Sequence, residues 1–76
     1  MKVQVVKWID AEIRTSDYSI KKAAELKPPV RTTVGWLVAD KEDWLVLATD
    51  KFEKGDQISA PMLIPKGMIL EWIEYA

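Results

Sequence analysis

The side chains most capable of acid–base or metal chemistry in this chain are two groups of carboxylates. Asp10 and Glu12 lie two residues apart, and Asp40, Glu42 and Asp43 crowd into one short segment. Such pairs can act as acid and base, and an acidic turn can hold a hard cation. The chain has no histidine and no cysteine, so its serines have no base to activate them and the commonest metal ligands are missing. Because the acidic turn also lacks the spacing of a calcium loop, we expect no catalytic residue, no metal site, no cofactor and no enzyme activity.

Four tryptophans could stack on nucleic-acid bases or pack in a core. Trp36 and Trp72 lie in apolar runs, which favours packing, whereas Trp44 borders a charged turn and fits either role. Eleven basic residues against twelve acidic ones give a net charge of −1, which argues against strong nonspecific binding to nucleic acid.

The charges are unevenly distributed. Residues 40–56 carry six acids and three lysines, whereas an earlier segment has an excess of basic residues over Glu25, namely Lys21, Lys22, Lys27 and Arg31. A solvated helix beside an acidic loop is the favoured interpretation. Two alternatives are that the uneven charge marks a weak polyanion-binding face, or that it lets neighbouring subunits attract each other.

The length predicts one domain, residues 1–76, with a small core. Disulfides are excluded, so we expect a cytoplasmic protein stabilised partly by self-association. No apolar run approaches the roughly 20 residues of a membrane span, and Met1 and Lys2 are not followed by the apolar stretch of a signal peptide.

The first half of the chain predicts a strand and then a helix. Apolar and polar residues alternate from Val3 to Ile13, with few exceptions. Thr15-Ser16-Asp17 offers a helix cap, residues 17–27 are mostly helix formers, and the prolines after Lys27 end the helix. A helix this short must be held by packing.

The second half predicts an antiparallel hairpin and two short strands. Residues 34–39 are apolar on both faces, with a bend expected at Gly35. Residues 40–43 form a turn, and Trp44 to Thr49 run back as the partner strand. A polar loop with a short hairpin tip follows over residues 50–61, and Pro65-Lys66-Gly67 separates the last two strands. We therefore predict a mainly β fold with one short helix.

This pattern resembles the two halves of the Sm-like motif. The residues that carry the resemblance are Gly35, Leu37, Asp40, Leu45, Val46 and Leu47, followed by Lys66, Gly67, Leu70 and Ile73. Three further segments are also similar to small uncharacterised proteins of phages and prophages, namely Trp8-Ile9-Asp10-Ala11, Val34-Gly35-Trp36-Leu37-Val38 and Ile64-Pro65-Lys66-Gly67-Met68. The chain departs from the Sm-like pattern in four places. Gly35 and Asp40 are one residue closer together, Trp44 stands in place of an RNA-contacting Asn, and Pro65 precedes the basic-Gly pair. The helix also follows the first strand, unless residues 3–13 form an extra strand.

The resemblance implies a strongly bent, five-stranded antiparallel barrel of the Sm-like or SH3-like type, which closes with its neighbours into a homo-oligomeric ring. A small core and apolar residues on both faces of the last strand leave an edge that needs cover, which independently favours edge pairing. The expected interface residues are Met68, Ile69, Leu70 and Trp72. RNA, or other single-stranded nucleic acid, is expected near Asp40, Trp44, Lys66 and Gly67, with Trp44 as a stacking platform.

The alternative is a non-catalytic SH3-like interaction module that binds a host protein, in phage development or against a host process. The acidic balance and the missing Asn favour it. A phage-encoded chain of either kind would act in the host cytoplasm.

Overall fold

The computed structural model describes residues 1–75. Its strands are β1 (Val3–Ile9), β2 (Val30–Asp40), β3 (Trp44–Ala48), β4 (Asp50–Lys51), β5 (Ile58–Ser59), β6 (Met62–Pro65) and β7 (Ile69–Tyr75). Its helix, α1, spans Ile20–Ala24, and a 3-10 turn over Lys66–Met68 separates β6 from β7. No helix in this part of the chain is long and apolar enough to cross a membrane.

Five strands form one antiparallel sheet in the order β6-β3-β2-β1-β7, and β4 and β5 form a separate hairpin. The predicted mainly β fold with five antiparallel strands is therefore confirmed. The sheet is open rather than closed into a barrel, since no ladder joins β6 to β7 within residues 1–75.

The core lies on one face of this sheet because β1 alternates. Gln4, Val6 and Trp8 are buried, while the residues between them face the other side. The buried apolar cluster draws its members from β1, β3 and β6, and consists of Val6, Trp8, Leu45, Leu47 and Ile64. Trp8 donates its indole N–H to the hydroxyl oxygen of Thr33 at 2.9 Å, so its polar atom is satisfied inside the core.

Within residues 1–75 the helix does not cover this core, because α1 contains no buried residue. Leu45 and Ile64 are nevertheless fully buried. A single sheet can bury side chains this completely only by curving over them, so the core occupies the concave side of a bent sheet.

Gly35 permits the closest approach within the sheet. A Cβ at this position would lie 2.7 Å from the backbone oxygen of Ala48 on β3, closer than real Cβ contacts occur. The irregularity of β2 lies further along, where the register with β3 shifts between Leu37 and Ala39. The irregularity predicted at Gly35 therefore lies at Val38, as a bulge. Gly35 instead allows β2 and β3 to lie close together.

Residues 10–29 form an excursion that we call the arm. β1 ends at Ile9, so the prediction that it continues to Ile13 is wrong. The helix is also shorter than residues 17–27, and its N-cap is Ser19, whose hydroxyl oxygen accepts from the backbone N–H of Lys22 at 3.2 Å. Every residue from 11 to 28 is exposed, which contradicts the expectation that packing holds the helix.

The close approach at Gly35 can be tested with a matched pair of glycine substitutions. Gly35→Ala is expected to lower the free energy of unfolding by about 1 to 3 kcal/mol, because backbone atoms of Ala48 cannot yield as a side chain could. At Gly67 a Cβ meets nothing within 4 Å, so Gly67→Ala should leave stability unchanged or raise it by up to about 1 kcal/mol. Denaturant unfolding measures both. Equal effects at the two positions would contradict the steric explanation.

Candidate nucleic-acid interface

The two halves of the predicted site meet at one end of the sheet. The turn between β2 and β3 is closed by the backbone N–H of Lys41, which donates to the carbonyl oxygen of Trp44 at 2.9 Å. The backbone N–H of Lys66 donates to the carbonyl oxygen of Asp43 at 2.8 Å. Since Lys66 begins the 3-10 turn, this bond joins two segments that lie far apart in the sequence.

Lys66 is the cationic centre of the site, and two groups contact it. Its Nζ lies 2.5 Å from Oδ1 of Asp40 and 5.9 Å from the centroid of the Trp72 ring. Both the ion pair and the cation–π contact leave the ammonium partly exposed to solvent. An anionic ligand would therefore compete with the Asp40 carboxylate for this cation.

Trp44 presents an aromatic surface beside the turn. It begins β3, its Cα partner in the ladder is Pro65, and it is 41% exposed. Pro65 has no N–H to donate, and it is tolerated because β6 is an edge strand. A ring with this exposure is available for stacking.

Gly67 leaves the backbone of the 3-10 turn open. No heavy atom lies within 4 Å of the position a Cβ would take, and its φ is outside the left-handed region. The fold therefore imposes no requirement for glycine here, and the peptide can be approached closely from outside.

The four predicted interface residues divide into two environments. Met68 and Leu70 are exposed large apolar residues, whereas Ile69 packs against the core cluster. Trp72 is opposite Val6 of β1, and its indole N–H donates to the Oε1 of Gln4. The Trp72 ring thus lies on the edge strand β7 and also contacts Lys66.

Gln4 is a structural residue that the sequence interpretation missed. Its side chain is fully buried, and its Nε2 donates to Oε1 of Glu74 at 3.0 Å while its Oε1 accepts from Trp72. It fixes β7 on β1 through three side chains. The available signal was a lone amide on the same strand face as Val6 and Trp8.

The other carboxylates singled out in the sequence form surface ion pairs. Asp10 Oδ2 lies 2.5 Å from Nε of Arg31, and Glu12 pairs with Arg14. Within residues 1–75 no three histidine, cysteine or acidic side chains group closely enough to hold a metal ion.

Comparison of the chain with protein-family models, with curated proteins and with solved structures finds no match. The geometry of the described residues therefore carries the functional argument.

The Asp40–Lys66 pair can be measured by a double-mutant cycle. Asp40→Ala, Lys66→Ala and the double variant should give a coupling energy of about 0.2 to 1 kcal/mol, which falls at high salt because the pair is partly solvated. Lys41→Ala combined with Asp40→Ala is the control, since these neighbours form no ion pair in the described part of the chain. Denaturant unfolding at two ionic strengths supplies the values. A coupling energy in the control cycle as large as that between Asp40 and Lys66 would contradict a specific ion pair.

Proposed function

We propose that the chain is an Sm-like protein of phage origin with a barrel-like bent sheet, that its two edge strands pair with neighbouring subunits in a homo-oligomeric ring, and that it binds RNA or another single-stranded nucleic acid. The observation that carries the proposal is the strand order, which leaves β6 and β7 as the two edges of the sheet, joined by one 3-10 turn. The two free edges of such an antiparallel sheet can pair head-to-tail with neighbours until a ring closes.

The composition of β7 supports edge pairing. An edge strand exposes unpaired N–H and C=O groups, and natural sheets usually protect it with charge or cover. β7 carries two glutamates, Glu71 and Glu74, but its other exposed side chains are large and apolar, namely Leu70, Trp72, Ile73 and Tyr75. Pairing with a neighbouring β6, where Leu63 is also exposed, would cover both edges at once.

The candidate interface supports binding of single strands. It combines an exposed indole, a partly exposed ammonium and an open peptide at Trp44, Lys66 and Gly67. Base stacking on an aromatic ring contributes about 1 to 3 kcal/mol per base and tolerates any sequence. Since the net charge is −1 and Asp40 already pairs with Lys66, stacking would supply more of the affinity than charge.

Ring assembly is tested by the mass in solution. Light scattering should give a pentamer, hexamer or heptamer for the wild type, and Leu70→Lys should shift it to smaller species by placing a charge on the edge of β7. Leu70 is 51% exposed, so folding should persist. The control is Val30→Lys, which is 53% exposed but lies on a central strand.

Nucleic-acid binding is tested by fluorescence anisotropy with short unstructured oligonucleotides at low salt. Trp44→Ala should weaken binding by about 1 to 3 kcal/mol. Lys66→Ala should weaken it and reduce the slope of log K against log salt by about 0.7. The control is Lys7→Ala, which removes the same charge from the face of β1 opposite the core. It should have little effect on binding. A wild type that binds no oligonucleotide at low salt would remove this part of the proposal.

A protein-interaction module of SH3-like type, acting on a host protein in phage development or against a host process, is the second candidate. It is favoured by an apolar surface on the outer face, where cross-strand partners form two rows, Tyr75–Val3–Trp36 and Ile73–Val5–Val34. Exposed apolar patches mark interaction sites. A monomeric mass together with absence of oligonucleotide binding would favour this function over the ring.

A further inference from the structure

The chain, with its exposed arm, has far more accessible surface than a folded monomer of its size. The accessible surface is 6106 Å², whereas about 4,700 Å² is expected for 8.7 kDa. The excess of about 1,400 Å² exceeds the roughly 800 Å² that each partner buries in a standard interface. The radius of gyration is likewise 15.6 Å against about 11 Å for a compact domain of this length.

The arm carries apolar side chains that nothing in its own chain covers. Ile20 is 91% exposed, Ile13 is exposed to a similar degree, and Tyr18 lies between them. A helix of five residues is far too short to be stable on its own in water. Both features indicate that the arm completes its packing against another surface.

A groove of about 670 Å³ lies between β2 and the β4–β5 hairpin. We call it the acidic groove. Its apolar lining is formed by Met1, Trp36, Val38, Phe52 and Ile58, and its charged lining by Lys51, Glu53 and Asp56. Lys51 is engaged by the Trp36 ring, with its Nζ 4.9 Å from the centroid, so the two carboxylates remain to meet a basic ligand.

We propose that the acidic groove binds the arm of a second copy of this chain, with Ile20 in the apolar lining and Lys21 and Lys22 facing Glu53 and Asp56. The charges are complementary, because α1 carries these two lysines and no acid. Opposite charges across an interface fix its register and exclude like-charged partners. The groove also has the volume of an ordinary ligand pocket, so it can hold several side chains.

The position of the groove favours a second copy over the chain's own arm. Ile9 is opposite Val30 at the end of the β1–β2 ladder where the arm begins, whereas Val3 is opposite Trp36 at the other end, beside the groove. Six strand residues separate the two ends, which is about 20 Å. Because the arm and the groove are different surfaces, the arm of one chain can reach the groove of the next, and this contact is compatible with the closed ring proposed above.

Charge exchange tests the contact without disturbing the fold, because all four charged residues are exposed. Lys21→Glu with Lys22→Glu, or Glu53→Lys with Asp56→Lys, should each weaken self-association by about tenfold or more, because like charges then face each other. Mixing the two double variants should restore association, since both arm–groove contacts become complementary again. Sedimentation velocity of each variant and of the mixture gives the result. A mixture that associates no better than its components would overturn the proposal.

Site-specific cross-linking reads the same contact directly, because the chain has no cysteine of its own. Ile20→Cys mixed with Phe52→Cys should form a covalent heterodimer with a short bismaleimide. Ile20→Cys mixed with Leu63→Cys should not, because Leu63 is exposed but lies outside this groove. The cross-link should persist when Leu70→Lys is added, since that change affects only the sheet edge. Equal yields from the two mixtures, or no heterodimer from the first, would refute the arm–groove contact.

Discussion

The structure depends on one constraint, which is that a single five-stranded sheet must cover its own core. With α1 fully exposed, only curvature can exclude water from Leu45, Leu47 and Ile64. Curvature requires β2 and β3 to approach closely where they cross the core. Gly35, next to the Trp36–Ala48 pair, permits that approach because any Cβ there would collide with the backbone of Ala48. The bulge at Val38 then re-aims the end of β2, so that Asp40 reaches Lys66. The core and the candidate site thus share one geometric cause.

The same constraint explains why so much apolar surface remains outside. A bent sheet has only one concave face, so apolar residues on its convex face and on its edge strands cannot be buried by the chain itself. Tyr75, Val3 and Trp36 form such a row across β7, β1 and β2. In a chain of this length the internal core is small, so cover from another molecule would contribute a large share of stability. Self-association or partner binding would then bury apolar surface that the chain cannot bury by folding alone.

Local pattern in the sequence was enough to predict most of the strands but not their long-range consequences. Alternation identified β1, and the run of charges identified the turn before Trp44, because both signals lie within a few residues. The helix was predicted too long because Ser16 and Ser19 are equally good caps by composition, and only the structure selects Ser19. The burial of Gln4 and the Asp40–Lys66 pair could not be predicted, since each depends on strands that meet only in the folded sheet. Lys66 and Trp72 likewise meet across a 3-10 turn, where no helical or strand spacing relates them.

The pairing of Lys66 with Asp40 has a consequence for any ligand at this end of the sheet. A phosphate that approaches the ammonium must displace or share a carboxylate already 2.5 Å away, so the net electrostatic gain is smaller than for a free lysine. Nonspecific attraction of polyanions is thereby weakened. A ligand that also stacks on Trp44 loses a smaller share of its binding affinity. An acidic residue paired with Lys66 would thus favour ligands with unstacked bases over duplexes, whose bases are stacked on one another and cannot lie on Trp44. Discrimination of this kind comes from suppressing the wrong ligands as much as from attracting the right one.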